Sequence, residues 1–345
     1  MKMRFVVLLL AACGCFHRAT ASPSRERSSD PFRAHRIGIL AVAFNDEVSL
    51  ARGLPRREAL HVALREQGYR EWQDIIFVER IEVEYGTDPE RVRRAVDSLT
   101  KGARELVAGG VELIIASGST EALIAQRTAP SIPIVFWSAD PIAEGVVASL
   151  ERPGGSATGV VPRPDARGEL LRLLDALAPG DGPIAYLFNS TYPAGVGTLE
   201  QTRRAASSLG VQLEVEEVRD ASALEAAFAT FKTRGARALL VGNHGLFRRE
   251  SGRIVELSIR YRLPLLSPYP EARDAGALVS CVPDFVFWSR RAAVFVDLIL
   301  KGAQPAVLAV EQSVPHSCTL NLVTAAALQM EIPEAVLRRM DRVIR

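Results

Sequence analysis

Residues 111–161 read VELIIASGSTEALIAQRTAPSIPIVFWSADPIAEGVVASLERPGGSATGVV, and this stretch decides the fold. Leu113–Ala116 is a short apolar run with a β-branched pair, bounded by Ser117-Gly118-Ser119-Thr120. Residues 121–128 have helical composition and stop before Pro130. Residues 132–137 form a second apolar run, as expected of a strand buried on both faces. Asp140 can cap a helix and Pro141 can take its first position, where a missing N–H does no harm. Gly154-Gly155 punctuates, and residues 157–161 are a third strand. The order strand, helix, strand, helix, strand puts small polar residues where strands end and helices begin. Open parallel sheets make their ligand sites at that edge.

The pattern repeats on both sides. Residues 37–43 (IGILAVA) read as the first strand, 56–67 as a helix ended by Gly68, 75–85 as a second strand and 89–108 as a helix closed by Gly109-Gly110. In that helix Val92, Ala95, Val96, Leu99, Ala103, Leu106 and Val107 fall at spacings of three and four. After Pro162-Arg163-Pro164 the alternation restarts. Helices are expected over 168–177, 199–209, 224–234 and 254–261, and strands over 184–188, 212–218, 238–241 and 263–267. The tail reads as strand 277–281, helix 288–300, strand pieces 307–311 and 319–322, and a last helix over 333–343. Repeated alternation predicts an α/β fold with two parallel-sheet lobes of similar size.

The chain has 345 residues, enough for two domains, with 48% hydrophobic and 24% charged content. A net charge of +2, with acids interleaved among the arginines, argues against a nucleic-acid binder. Lys2 and Arg4 precede a short apolar run, the pattern of a signal peptide over 1–21. Two cleavages are open: a lipoprotein-type cut before Cys13, which would then carry lipid, or one after Ala19-Thr20-Ala21. Residues 22–35 are rich in Pro, Ser and Arg and read as a flexible tether. Cys281 and Cys318 read as two buried small side chains, although export would permit a disulfide.

Candidate ligand contacts lie at the strand ends. In the first lobe they are Ala43 and Phe44, then Ser117, Ser119 and Thr120, then Trp137, Ser138 and Asp140. In the second they are Asn189, Ser190 and Tyr192, then Asn243 and His244, then Tyr269; Asp284 lies at the expected hinge. Helix capping explains Ser119, Thr120 and Asp140 as well as ligand binding does. No Walker loop, dinucleotide turn, G-x-S-x-G or H-E-x-x-H is present. No catalytic constellation, metal or cofactor is expected.

The chain resembles the family of periplasmic ABC-transporter substrate-binding proteins whose known members take up tryptophan and related aromatic amino acids. Ala116-Ser117-Gly118-Ser119, Ile132-Pro133-Ile134-Val135-Phe136, Asp140-Pro141, Gly145-Val146-Val147-Ala148-Ser149-Leu150 and Arg152-Pro153-Gly154-Gly155 carry the resemblance. So do Leu64-Arg65-Glu66-Gln67-Gly68-Tyr69 and Lys301-Gly302-Ala303-Gln304-Pro305. The resemblance implies a type I periplasmic-binding-protein fold with a three-strand hinge. Lobe 1 would comprise 36–159 plus 276–310, and lobe 2 160–275 plus 311–345. It also implies a monomer outside the cytoplasm that captures a small amino-acid-like solute by closing its lobes. Its partners would be that solute and an ABC permease, and it would meet the membrane only through a lipid anchor. A ligand sensor acting on another partner is the alternative. Cys281-Val282, Gly242-Asn243-His244 and Asn189-Ser190 depart from the family pattern at the expected cleft or hinge, so the family's specificity does not carry over with its fold.

Overall fold

Short apolar runs with β-branched residues become the inner strands of two sheets, and amphipathic segments between them become the covering helices. The computed structural model describes residues 34–43, 47–83, 89–191 and 193–345, with Ala34–Arg345 as one compact unit. The expectations for the signal peptide, Cys13, residues 22–33 of the tether, Phe44 and Tyr192 lie outside the described residues.

In chain order the elements begin β1 (His35–Ala43), α1 (Glu47–Glu66), β2 (Ile75–Val83), α2 (Pro89–Ala108), β3 (Leu113–Ala116), α3 (Ser119–Thr128), β4 (Ile134–Trp137) and β5 (Ala157–Pro162). They continue with α4 (Ala166–Leu177), β6 (Ile184–Phe188), α5 (Pro193–Leu209), β7 (Leu213–Glu217), α6 (Leu224–Thr233), β8 (Ala238–Val241), α7 (Gly245–Arg249), α8 (Ser251–Arg260), β9 (Leu265–Ser267) and α9 (Pro270–Asp274). The last are β10 (Val279–Pro283), α10 (Phe285–Leu300), β11 (Glu311–Val314), β12 (His316–Asn321), α11 (Leu322–Ala327), α12 (Glu334–Leu337) and β13 (Arg342–Ile344).

The first sheet has the order β11-β5-β4-β3-β1-β2, with every neighbouring pair parallel. One face packs Leu99 and Leu106 of α2 and Ile124 of α3 against Ile114, Ile134 and Phe136. The other packs Leu60 and Leu64 of α1 with Trp288 and Val296 of α10 against Ile115, Val135 and Val160. The second sheet runs β13-β12-β10-β9-β8-β6-β7 and is parallel except for the β10–β12 pair. Its faces are covered by Leu171 and Leu174 of α4 with Leu199 of α5, and by Phe228 and Phe231 of α6 with Ile254 of α8.

The chain crosses between the sheets after β5, after β10 and after β11. The crossings lie side by side: Arg163 N–H donates to the Val314 carbonyl at 3.2 Å, and Asp284 N–H to the Pro315 carbonyl at 2.8 Å. The lobe boundaries differ from those expected. β10 pairs with β9 and β12 in the second sheet, and β11 pairs with β5 in the first. Each strand beside a crossing completes its ladder before the chain leaves, so the boundary falls at the crossing rather than at a composition change. The helix expected over 333–343 is only the short α12, followed by β13 beside β12. Leu337 and Met340 turn into the second lobe's core between them. The strand piece expected over 307–311 is a 3-10 turn, Pro305–Val307, with β11 starting only at Glu311.

Cys281 and Cys318 stand opposite one another in the antiparallel β10–β12 pair and form a disulfide, which corrects the reading of two separate side chains. Their spacing gives no hint of this; the antiparallel register makes it. A cross-link between residues 37 apart restrains the unfolded chain and stabilises by about 2–4 kcal/mol. Reduction, or Cys281→Ala with Cys318→Ala, is expected to lower the melting temperature by several degrees in calorimetry. An unchanged melting temperature would refute that contribution.

Candidate functional site

Parallel pairing brings the carboxyl ends of the inner strands of each sheet to one edge. In the first lobe β3 ends at Ser117 and β4 at Ser138. The chain after β4 does not form the helix expected at Asp140-Pro141. It closes in turns instead: Glu144 N–H donates to the Asp140 carbonyl at 3.0 Å and Val146 N–H to the Pro141 carbonyl at 2.8 Å. Gly145, at φ +77°, takes the left-handed conformation that stops a helix there.

These turns fold Glu144 back onto the strand ends. Its Oε2 accepts from the Ser138 hydroxyl at 2.6 Å and from the Ser119 hydroxyl, while its Oε1 is buried with no hydrogen-bond partner among the described residues. Burial raises the Glu144 pKa, the serine hydrogen bonds oppose that, and the nearby Asp140 charge adds to the rise. Ser117 donates to Glu121 Oε1 at 3.2 Å. Three serine hydroxyls expected to face a ligand are thus held by two glutamates. Thr120 is half-buried in the first turn of α3, and Ala43 is the last residue of β1.

Asp140 joins the lobes. Its Oδ1 accepts from Ala143 N–H at 3.1 Å, so it caps a turn rather than a helix. Its Oδ2 accepts from Gln201 Nε2 of α5 at 2.6 Å. Gly197, one turn earlier in α5, lies so close that a Cβ there would sit 3.4 Å from Ala143 Cβ.

The second lobe's edge is a network. Asn189, after β6, is buried and gives its Nδ2 to the Val218 carbonyl at 2.8 Å. Its Oδ1 accepts from the Thr191 amide at 2.9 Å and from the Thr191 hydroxyl at 2.6 Å. The Thr191 hydroxyl meets His244 Nε2 at 3.0 Å, and His244 Nδ1 accepts from Leu246 N–H at 3.1 Å, capping α7. Burial pushes the His244 pKa down to about 4, with Arg249 adding to the shift. The Tyr269 hydroxyl accepts from His244 N–H at 2.6 Å and lies 3.1 Å from the Gly242 carbonyl, which ties the ends of β8 and β9 together. Asn243, between them, is half-buried. Ser190 points outward to Glu217, and Asp284 caps α10 by accepting from Val286 and Phe287 N–H at 3.0 and 2.9 Å. These two are thus accounted for by surface pairing and capping.

Aromatic rings stand where the lobes meet. Trp137 packs against Phe285, the first residue after the second crossing, at 5.2 Å between ring centroids. Its indole Nε1 is buried without a partner among the described residues. The Arg56 guanidinium lies 3.7 Å from the centroid of the Phe285 ring.

Three residues at this edge are not among the candidate contacts expected from the sequence. Glu144 gave no signal, because an acid in a turn is ordinary. Arg167 did give one: a cation in the first turn of α4 opposes the helix dipole. His316 begins β12 directly after the third crossing. Burial lowers its pKa to about 4, with Arg167 and Arg163 adding.

Two parallel-sheet lobes joined by three crossings, with polar strand ends brought together, define the type I periplasmic-binding-protein fold. The chain belongs to the family described as ABC transporter substrate binding protein, whose profile matches residues 57–344. It is 20% identical over 320 residues to a "Tyrosine-binding protein" of Clostridioides difficile (strain R20291), covering 92% of this chain and 88% of that one. It is similar to a structure from Streptococcus pneumonia of an ABC domain in complex with L-Trp (TM-score 0.72, 20% identity, 90% and 100% of the two chains). It is also similar to a ligand-free, open substrate-binding protein with adhesive properties from Clostridium difficile (TM-score 0.71, 18% identity, 90% and 99% of the two chains).

Proposed function

We propose that this chain is the extracytoplasmic binding component of an ABC importer, and that it captures an amino-acid-like, aromatic solute between its lobes. The observation that carries the reading is the Asp140–Gln201 hydrogen bond, which links the ligand edge of the first lobe to a helix of the second. A contact of this kind exists only when the lobes are together, so a solute contacting both edges favours the closed arrangement. Trp137 and Phe285 offer the apolar wall that a side-chain ring needs, and the unpartnered indole Nε1 offers a donor. Ser119 and Ser138 act through Glu144, which they hold in place. The relatives that bind tyrosine or tryptophan support the solute class. The solute is handed on to a permease unchanged. A lipid at Cys13 would keep the protein beside that permease.

A thermal-shift screen of the full chain against amino acids, with tryptophan, tyrosine and phenylalanine first, tests this. A ligand that binds only the native state at a hundred times its Kd stabilises by about 2.7 kcal/mol. A saturable rise in melting temperature with an aromatic amino acid is expected. If no amino acid raises it, the solute class is wrong.

A further inference from the structure

Two carboxylates stand at the first lobe's strand ends and a guanidinium at the second's. The first lobe presents Asp140 and Glu144, and the Ser119 and Ser138 hydroxyls are already given to Glu144. An anionic group brought to those strand ends would meet a carboxylate rather than free donors. The second lobe presents Arg167. This residue follows the first crossing, in the first turn of α4, and is half-buried. It makes no hydrogen bond, ion pair or ring contact with any described residue. Its electrostatic neighbours are Tyr186, Tyr269 and His316. All three mark the same edge of the sheet. Tyr186 reaches from β6 to the end of β8, where a Cβ on Gly242 would lie 3.0 Å from its hydroxyl. The Tyr269 hydroxyl binds the backbone of residues 242–244. His316 pairs with Pro283 at the end of β10, and its Nδ1 is buried without a partner among the described residues.

A guanidinium does not shed its proton inside a protein. Half-burying one with no carboxylate partner among the described residues is costly, and here the helix dipole adds to the cost. Such a charge gains its counter-ion when something binds.

We propose that Arg167 is the anion receptor of the cleft: the solute sets a carboxylate on Arg167 from the second lobe and a cationic group on Glu144 and Asp140 in the first. This rests on reading the cleft as a solute site, and adds which end of the solute faces which lobe. It selects a zwitterion over the corresponding amine.

Calorimetric titration and thermal shift on the full chain, wild type against Arg167→Met and Arg167→Lys, test the assignment. The probes are L-tyrosine, L-tryptophan, tyramine, tryptamine, 3-phenylpropionate, succinate and glucose. Removing one partner of an enclosed charge pair is expected to weaken binding at least about 30-fold. Tyramine and tryptamine should therefore bind the wild type that much more weakly than the amino acids. Arg167→Met should lose the amino acids to the same extent, and Arg167→Lys should keep part of the affinity. The free Arg167→Met protein should melt at or above the wild type, because a half-buried charge with no ion-pair partner among the described residues has been removed.

Equal binding of tyramine and tyrosine, unaltered binding by Arg167→Met, or a free variant that melts several degrees lower would each overturn the assignment. If no amino acid binds but succinate or 3-phenylpropionate does so through Arg167, the amino-acid reading fails and the anion receptor stands. Binding of glucose or the amines alone overturns it. If no probe binds, the melting comparison of the free proteins still separates a poised receptor from a structural arginine.

Discussion

Gly159→Ala is expected to destabilise the protein by about 3 kcal/mol or more, the upper range for forcing atoms into a packed interior. Gly159 lies in β5 opposite Phe136 of β4. A Cβ at residue 159 would stand 2.1 Å from the Phe136 carbonyl oxygen and 2.9 Å from its carbon. Those are backbone atoms of a paired strand, so no rotamer change relieves the clash. The two strands must part, and the hydrogen bonds of a fully buried sheet centre go with them. β5 also leads into the first crossing, so the displacement would reach the hinge. Gly252 in α8 serves as the control: a Cβ there would meet nothing within 4 Å, and its backbone is helical. There alanine should be neutral or stabilise by up to about 1 kcal/mol. Urea denaturation of both variants measures the contrast. A Gly159→Ala protein within about 1 kcal/mol of wild type would refute the clash.

Residues 111–161 made the fold legible because each inner strand is an apolar run bounded by turn residues, and period and punctuation survive folding unchanged. Leu113–Ala116 keeps its expected bounds, and 238–241 matches β8. Segments whose structure depends on distant partners were not legible. β13 exists because β12 lies beside it, and α12 stops early for the same reason. The Cys281–Cys318 bond follows from an antiparallel register that neither segment encodes alone. The edge of the site behaves similarly. Ser119, Ser138, Asp140, Asn189, His244 and Tyr269 stand out in the sequence as polar residues at strand ends, and the structure does bring them to those edges. Their partners were unreadable, because Glu144, Thr191 and Gln201 reach them only through a turn, a loop and the opposite lobe. Arg167 was the readable exception, a cation placed against a helix dipole.

Acidification from pH 7 to pH 5 is expected to lower the melting temperature by about 5 °C, through two histidines that fold in the neutral form. His244 accepts from Leu246 N–H at Nδ1, which leaves Nε2 to carry the proton and donate to Thr191. A second proton would have to go on Nδ1, where it would face that N–H and break the cap. His316 is enclosed beside Arg167 and Arg163, so its protonation would add a like charge. Both folded pKa values fall to about 4, from an ordinary 6.5. Between those values the unfolded chain binds more protons than the folded one, so stability declines as pH falls through that window and is level above it. Each histidine contributes at most about 3 kcal/mol over the full window, and about two-thirds of that is lost by pH 5. Glu144 works in the opposite direction: its raised pKa means that the fold gains stability when it is protonated, which offsets part of the loss. Calorimetry across the pH range, on wild type, His244→Asn and His316→Gln, isolates the contributions. Asparagine keeps an acceptor at the start of α7, so His244→Asn should remove its share of the slope without losing the cap. The double variant should lose that decline and keep only the small gain from Glu144 between pH 7 and pH 5. A wild-type melting temperature that does not change over this range, or a double variant with the wild-type slope, would show that these histidines are not what makes the fold sensitive to acid.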